Sequence, residues 1–183
     1  MTKFIWKGIL YQSLECFTLR EDTGNYIISS KIIGSYLDKI YTAEYTINTD
    51  RNWNVLEFLI QSEVNSAKNT LSGKKRGNKW KINQTERPEF EGIQYIDISL
   101  TPFTNTLPIN TLKLQENKSQ EIQVIYIDVL NSALRPASQR YTRTAKEKYL
   151  YENIPKNFEA EITVDESGLV LDYPQLFERV KTL

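Results

Sequence analysis

The chain contains no histidine and a single cysteine, Cys16, among 183 residues. Ser-His-Asp and Cys-His nucleophile arrangements are therefore excluded, as is a zinc centre built from His and Cys. Any catalysis would have to rest on carboxylates, lysine, tyrosine or a bound Mg²⁺ or Ca²⁺. One cysteine cannot close an intramolecular disulfide, which fits a reducing compartment. Its apolar neighbours in "SLECFTL" predict a buried, inert thiol. Charge of one sign is not in excess either: 23 basic residues balance 23 acidic ones, so no global field draws in nucleic acid. Long apolar runs are lacking. "MTKFIWKGILYQSLE" is interrupted by Lys7 and Gln12 and so misses the apolar core of a signal peptide. No segment approaches the roughly 20 apolar residues of a membrane-spanning helix. Neither "REDTG" nor "DESG" has EF-hand spacing, and no metal or cofactor is expected. These absences predict a cytoplasmic protein with no nucleic-acid partner and no integral membrane association.

What is present is strand periodicity. A chain of this length can hide roughly 70% of the surface its unfolded form exposes, and one domain is expected over 1–183. In "IYTAEYTINTD", Tyr41, Ala43, Tyr45 and Ile47 fall on one face and Thr42, Glu44, Thr46 and Asn48 on the other. "WNVLEFLIQSEV" follows a polar turn at 50–52, with Leu56, Phe58 and Ile60 alternating, so the pair reads as a hairpin. "TLSGKKRGNKWKIN" reads as a second hairpin with an exposed tip. "EIQVIYIDVL" is nearly continuous in apolar residues, as a central strand would be. "FEAEITVDESGLVLDY" forms a further strand pair around its Asp-Glu-Ser-Gly turn. Helical spacing is confined to the C-terminal "YPQLFERVKTL". Roughly ten short strands predict an all-β, strongly curved antiparallel sheet, a roll or half-barrel, with one short C-terminal helix.

Three clusters carry potential chemistry. Lys74, Lys75, Arg76, Lys79 and Lys81 surround Trp80; they could meet phosphates, but a lysine-rich tip more often keeps a sheet edge solvated. "SQRYTRTAKEKYLYENI" concentrates Tyr141, Tyr149 and Tyr151 with Arg140 and Arg143, and Tyr149 and Tyr151 share a strand face. Phenol rings suit a sugar or lipid headgroup and arginine suits an anion, against the commoner outcome of cross-strand aromatic packing. The strand carboxylates Glu44, Asp97, Asp128, Glu152 and Asp172 are the remaining acid–base groups. A facing pair could cleave a glycoside, although most carboxylates on a wet strand face are merely solvated.

Several segments, in order, resemble one family. "IDISLTPFTNTLPI", "QRYT", "YLYE" and "GLVLDYPQLFERV", together with the earlier "TDRNWNV", are similar to bacterial proteins of the putative glycolipid-binding family. The resemblance covers most of the chain and is most specific over the proline-bounded first segment. It implies a spiral β-roll, similar in shape to the periplasmic lipoprotein carriers. It matches Asp97, Thr101, Pro102, Phe103, Thr104, Asn105, Thr106 and Pro108, then Arg140, Tyr141, Tyr151, Glu152, Asp172, Tyr173 and Pro174. No catalytic assignment comes with it.

The expectation is a non-catalytic module holding a glycolipid or other apolar ligand on the concave face of the sheet. Asp97, Thr104, Asn105, Thr106, Arg140, Tyr141, Tyr149 and Tyr151 are the candidate ligand-binding residues. An interaction protein pairing through sheet edges ranks second. A hydrolase using Asp97 or Glu152 with Arg140 ranks third. "DISLTPFTNTLPI" itself reads as a corner, where Pro102 ends a ladder and the hydroxyls and amide brace the turning backbone.

Overall fold

A computed structural model describes residues 1–180. The strands are β1 (Thr2–Gly8), β2 (Ser13–Asp22), β3 (Asn25–Tyr36), β4 (Lys39–Asp50), β5 (Val55–Val64), β6 (Ala67–Arg76), β7 (Lys79–Ile82) and β8 (Thr85–Glu86) in the first half. The second half holds β9 (Tyr95–Ile98), β10 (Ser119–Asp128), β11 (Ala133–Ala145), β12 (Lys148–Ile154), β13 (Glu159–Val164), β14 (Val170–Tyr173) and β15 (Phe177–Arg179). All fifteen join one unclosed sheet in the order β8-β7-β6-β5-β4-β3-β2-β1-β15-β14-β13-β12-β11-β10-β9. The expected all-β curved sheet is what forms.

Tight turns explain the long ladder. Thr23-Gly24, Asn65-Ser66 and Asn83-Gln84 each place two successive residues at positive φ, the two-residue turn whose twist matches that of the flanking strands. Side chains then alternate. Phe4 and Trp6 of β1, Glu15 and Phe17 of β2, and Tyr41, Ala43, Tyr45 and Ile47 of β4 all point into the core. Leu56 does not: the register shifts between Asn48 and Thr49, the extra residue falls on the β5 side, and Val55 and Phe58 are buried while Leu56 turns out.

The sheet curls until its two ends meet. Trp80 of β7 donates its indole N–H to the Ile93 carbonyl at 2.8 Å, and Tyr45 of β4 reaches Thr101, just beyond β9, at 3.2 Å. The β9–β10 end is thereby enclosed by the rest of the roll. Enclosure explains its composition, because Ile96, Ile98, Ile125 and Ile127 are buried on one face and Tyr95 and Val124 on the other. β9 pairs with β10 in parallel, an exception to the expected antiparallel pattern. The connection between them is long enough to cross over and carries its own short helix.

That helix is where the sequence reading needs correction. The single α-helix among the described residues, α1, spans Thr106–Leu112 and follows a 3-10 turn at Phe103–Asn105. Pro108 is its third residue, where a helical N–H would have no intrahelical acceptor, so the proline costs no bond. The predicted C-terminal helix does not form. Residues 174–176 turn, with Gln175 at φ 66°, and β15 pairs with both β14 and β1, Phe177 lying opposite Tyr173 and Gly8. The open edge of β1 outcompetes a short isolated helix there; residues 181–183 of that prediction lie outside the described residues. Cys16, expected to be buried, is exposed on the outer face of β2, since the inward positions of that strand are its neighbours Glu15 and Phe17.

Candidate functional site

The corner at 101–106 is wired to the opposite wall of the roll. Thr101 Oγ1 donates to Glu15 Oε1 at 2.9 Å and accepts the Phe103 N–H at 3.1 Å. Ser30 and Tyr45 donate to the same Glu15 oxygen, each at 2.7 Å. Glu15 Oε2 is buried with no hydrogen-bond partner among the described residues. Burial outweighs the three donors and pushes the Glu15 carboxyl up to about 7. Around this polar knot, Phe103 packs on Phe17, Tyr45 and Trp53, and Leu107 and Ile109 complete the filling. Around the corner the concave face is therefore filled by the chain's own side chains.

A cavity of about 400 Å³ opens instead beside the corner. Its polar floor is Asp97, whose Oδ1 accepts from Thr104 Oγ1 at 3.1 Å and whose Oδ2 accepts from Gln139 Nε2 at 2.6 Å. Burial raises the Asp97 pKa, while Gln139 and Thr104 pull against it. Strand register explains the neighbours: Tyr126 of β10 lies beside Asp97 and opposite Arg135 of β11, so the three form a row across one face. Tyr11, Tyr151 and Tyr173 supply further walls, with Phe177 and the loop 153–158. Tyr151 meets Tyr141 edge-on at 5.5 Å and Tyr173 at 5.9 Å. Burial, with Asp97 nearby, moves the Tyr126 phenol up to about 12, and burial raises Tyr11 and Tyr151 as well. These phenols stay neutral donors at physiological pH.

The eight predicted residues scatter over five settings. Asp97, Asn105 and Tyr151 line the cavity. Thr104 and Tyr141 stand behind it, Thr104 holding Asp97 and Tyr141 donating to Asn105 Oδ1 at 2.7 Å. Thr106 is fully buried, its hydroxyl without a partner. Tyr149 lines a separate cavity of about 640 Å³ with Trp53, Arg143 and Lys113, on turns at the other end of the strands. Arg140 is not at the cavity: it lies on the outer face, 3.3 Å from Glu121 and 4.0 Å from Glu152, because successive strand residues alternate and Gln139 takes the inward position. Sequence reasoning missed Tyr11, Tyr126, Arg135 and Gln139. The hairpin register of β10 with β11 carries the signal for two of them, since pairing Asp128 with Ala133 places Tyr126 opposite Arg135.

Both Asp97 oxygens already accept internal hydrogen bonds, and no His, Cys, Asp or Glu group of three that could hold a metal occurs among the described residues. A family model described as "Putative glycolipid-binding" matches residues 3–179. The chain belongs to that family. A crystal structure of a DUF1089 family protein from Pseudomonas aeruginosa is similar to it, with a TM-score of 0.81 and 33% identity over 92% of each chain. Comparison with curated proteins gave no match. Family membership accords with the spiral roll and with a binding role in general. No helix among the described residues is long and apolar enough to cross a membrane.

Proposed function

We propose that the protein binds a glycolipid-type ligand without catalysis, taking the sugar end into the cavity over Asp97 while the acyl chains stay outside. The observation that carries this reading is the aromatic and polar lining of the cavity that the concave face leaves open beside the corner. Phe103, Leu107 and Ile109 are buried at the corner and fill the roll there. The cavity beside them offers tyrosine rings, the Gln139 amide and a carboxylate. Aromatic faces that stack on a sugar's C–H groups, with a few directed polar groups, form a typical carbohydrate-type lining. Pairing through sheet edges finds little support, since β8 is two residues long and β9 is enclosed by the roll.

Protein purified from its host and examined by native mass spectrometry should carry a mass of several hundred daltons that yields sugar on hydrolysis. Tyr151→Ala, which removes a cavity wall, should lose it, whereas the outer-face Arg140→Ala should retain it. A ligand kept by Tyr151→Ala, or a purely hydrocarbon ligand, would place binding elsewhere and overturn this reading.

A further inference from the structure

Arg135 is the cationic residue lining the Asp97 cavity. Its guanidinium lies 4.7 Å from the centre of the Tyr126 ring. No ion pair or side-chain hydrogen bond ties it to any of the described residues. This differs from Arg140, five residues further along the same strand and on the outer face, which sits between two glutamates. Stacking on Tyr126 holds the guanidinium plane in place and leaves its N–H fork unspent. Asp97, at the other end of the three-strand row, attracts it through space but forms no direct ion pair with it, both Asp97 oxygens being turned to Thr104 and Gln139. At the usual strand spacing the backbones at the two ends of the row stand roughly 10 Å apart, with Tyr126 between them.

We propose that the ligand is acidic: a sugar headgroup bearing a carboxylate, whose oxygens take the Arg135 fork while its hydroxyl groups face Gln139 and the tyrosines. The assignment rests on the reading that the cavity binds a sugar headgroup, and it adds the charge of that headgroup. A planar carboxylate matches a guanidinium with two parallel hydrogen bonds, a match that a lysine ammonium cannot reproduce. Asp97 supports the same geometry from the other end. Its carboxylate repels an acid placed beside it, so the acidic group is directed to Arg135 and a neutral hydroxyl edge is left near Asp97.

The test is isothermal titration of the full chain with three soluble single-tail probes: octyl glucoside, octyl glucuronide and octyl phosphate, each below micelle formation. The expected result is that the glucuronide binds about tenfold or more tightly than the glucoside, as a charge-assisted bidentate pair would give. In Arg135→Gln the glucuronide should fall about tenfold or more, to the affinity of the glucoside, and Arg135→Lys should restore only part of the preference. Equal binding of glucuronide and glucoside by the natural chain, or a preference that survives in Arg135→Gln, overturns the acidic-headgroup assignment and leaves sugar binding intact. Octyl phosphate binding as tightly as the glucuronide overturns the acidic sugar in favour of a headgroup phosphate. Failure of all three probes overturns both this assignment and the sugar-binding reading beneath it.

Discussion

Glu15 and Asp97 are both carboxylates drawn out of water and met by hydroxyl or amide donors, yet their surroundings differ. Glu15 gathers three hydroxyl donors on one oxygen, from Ser30, Tyr45 and Thr101, inside a packed aromatic shell. Asp97 takes a single donor on each oxygen and looks into a cavity with Arg135 across it. In the first region the polar groups lock two parts of the chain together. In the second, comparable groups leave a shaped space with a cation that no ion pair among the described residues engages. Polar residue types alone do not separate a brace from a site; the number of partners supplied by the chain itself does.

The most forceful way to break this comparison is at Phe103. It is fully buried in contact with Phe17, Tyr45 and Trp53, so Phe103→Ala should cost about 3 to 5 kcal/mol in urea unfolding, as buried aromatic truncations do. A cost under about 1 kcal/mol, the level of surface changes, would mean that the corner is not the filling of the roll. A cavity-wall change such as Tyr151→Ala should weaken ligand binding more than it weakens the fold.

Glu15 adds a pH test. Its folded-state pKa of about 7 lies above the ordinary carboxyl value of 4.5, so between those values the folded chain keeps a proton that the unfolded chain has released. Its contribution to stability is therefore complete below pH 4.5 and is lost as pH rises towards and past 7, by about 3 kcal/mol in all. Asp97, also raised by burial, acts in the same direction. Unfolding free energies of the natural chain should fall between pH 5 and pH 8.5, and Glu15→Gln, an uncharged isostere, should flatten most of that fall. Stability that rises over this window would contradict a buried, proton-holding Glu15.

Much of this contrast was legible in the sequence, and the part that was not has a physical cause. The alternation of Tyr41 to Ile47 identified the core face of β4 because a strand buried on one side alternates strictly. The hydroxyls and prolines of 101–108 read as a braced corner, and Thr101, Thr104 and Asn105 do brace it. Glu15 gave no local sign, because its three donors come from three different segments. Arg135 likewise depends on the pairing of β10 with β11, and its place opposite Tyr126 follows only once that register is known. The tail "LFERV" has helical spacing, but the vacancy beside β1 is a tertiary fact that overrides it. Leu56 was put on the wrong face by a one-residue bulge, a feature that simple alternation cannot contain.

Tyr141 sits between the two regions and can sharpen the boundary. Its hydroxyl donates to Asn105 Oδ1, and Asn105 both braces Pro102 and lines the cavity. Tyr141→Phe leaves that amide oxygen without its donor and should cost about 1 to 2 kcal/mol in urea unfolding, with ligand affinity reduced only modestly. A large loss of affinity with unchanged stability would instead assign Tyr141 to the ligand.

Arg140 provides the smallest effect and the strictest control. Its partners Glu121 and Glu152 are on the outer face; when the guanidinium goes, the exposed Glu121 is solvated by water and the buried Glu152 keeps a second cation, Lys156, at 3.0 Å. The exposed Arg140–Glu121 pair is screened by solvent and the Arg140–Glu152 contact is long at 4.0 Å, so Arg140→Ala should change stability by about 0.5 kcal/mol or less. Arg135→Ala should be equally mild in unfolding, since Arg135 is exposed and makes no ion pair, yet it alone should lower affinity for an acidic ligand. Two arginines five residues apart on one strand would then differ in binding and not in stability. Their odd spacing puts them on opposite faces, and the face, more than the residue type, decides which one meets the ligand.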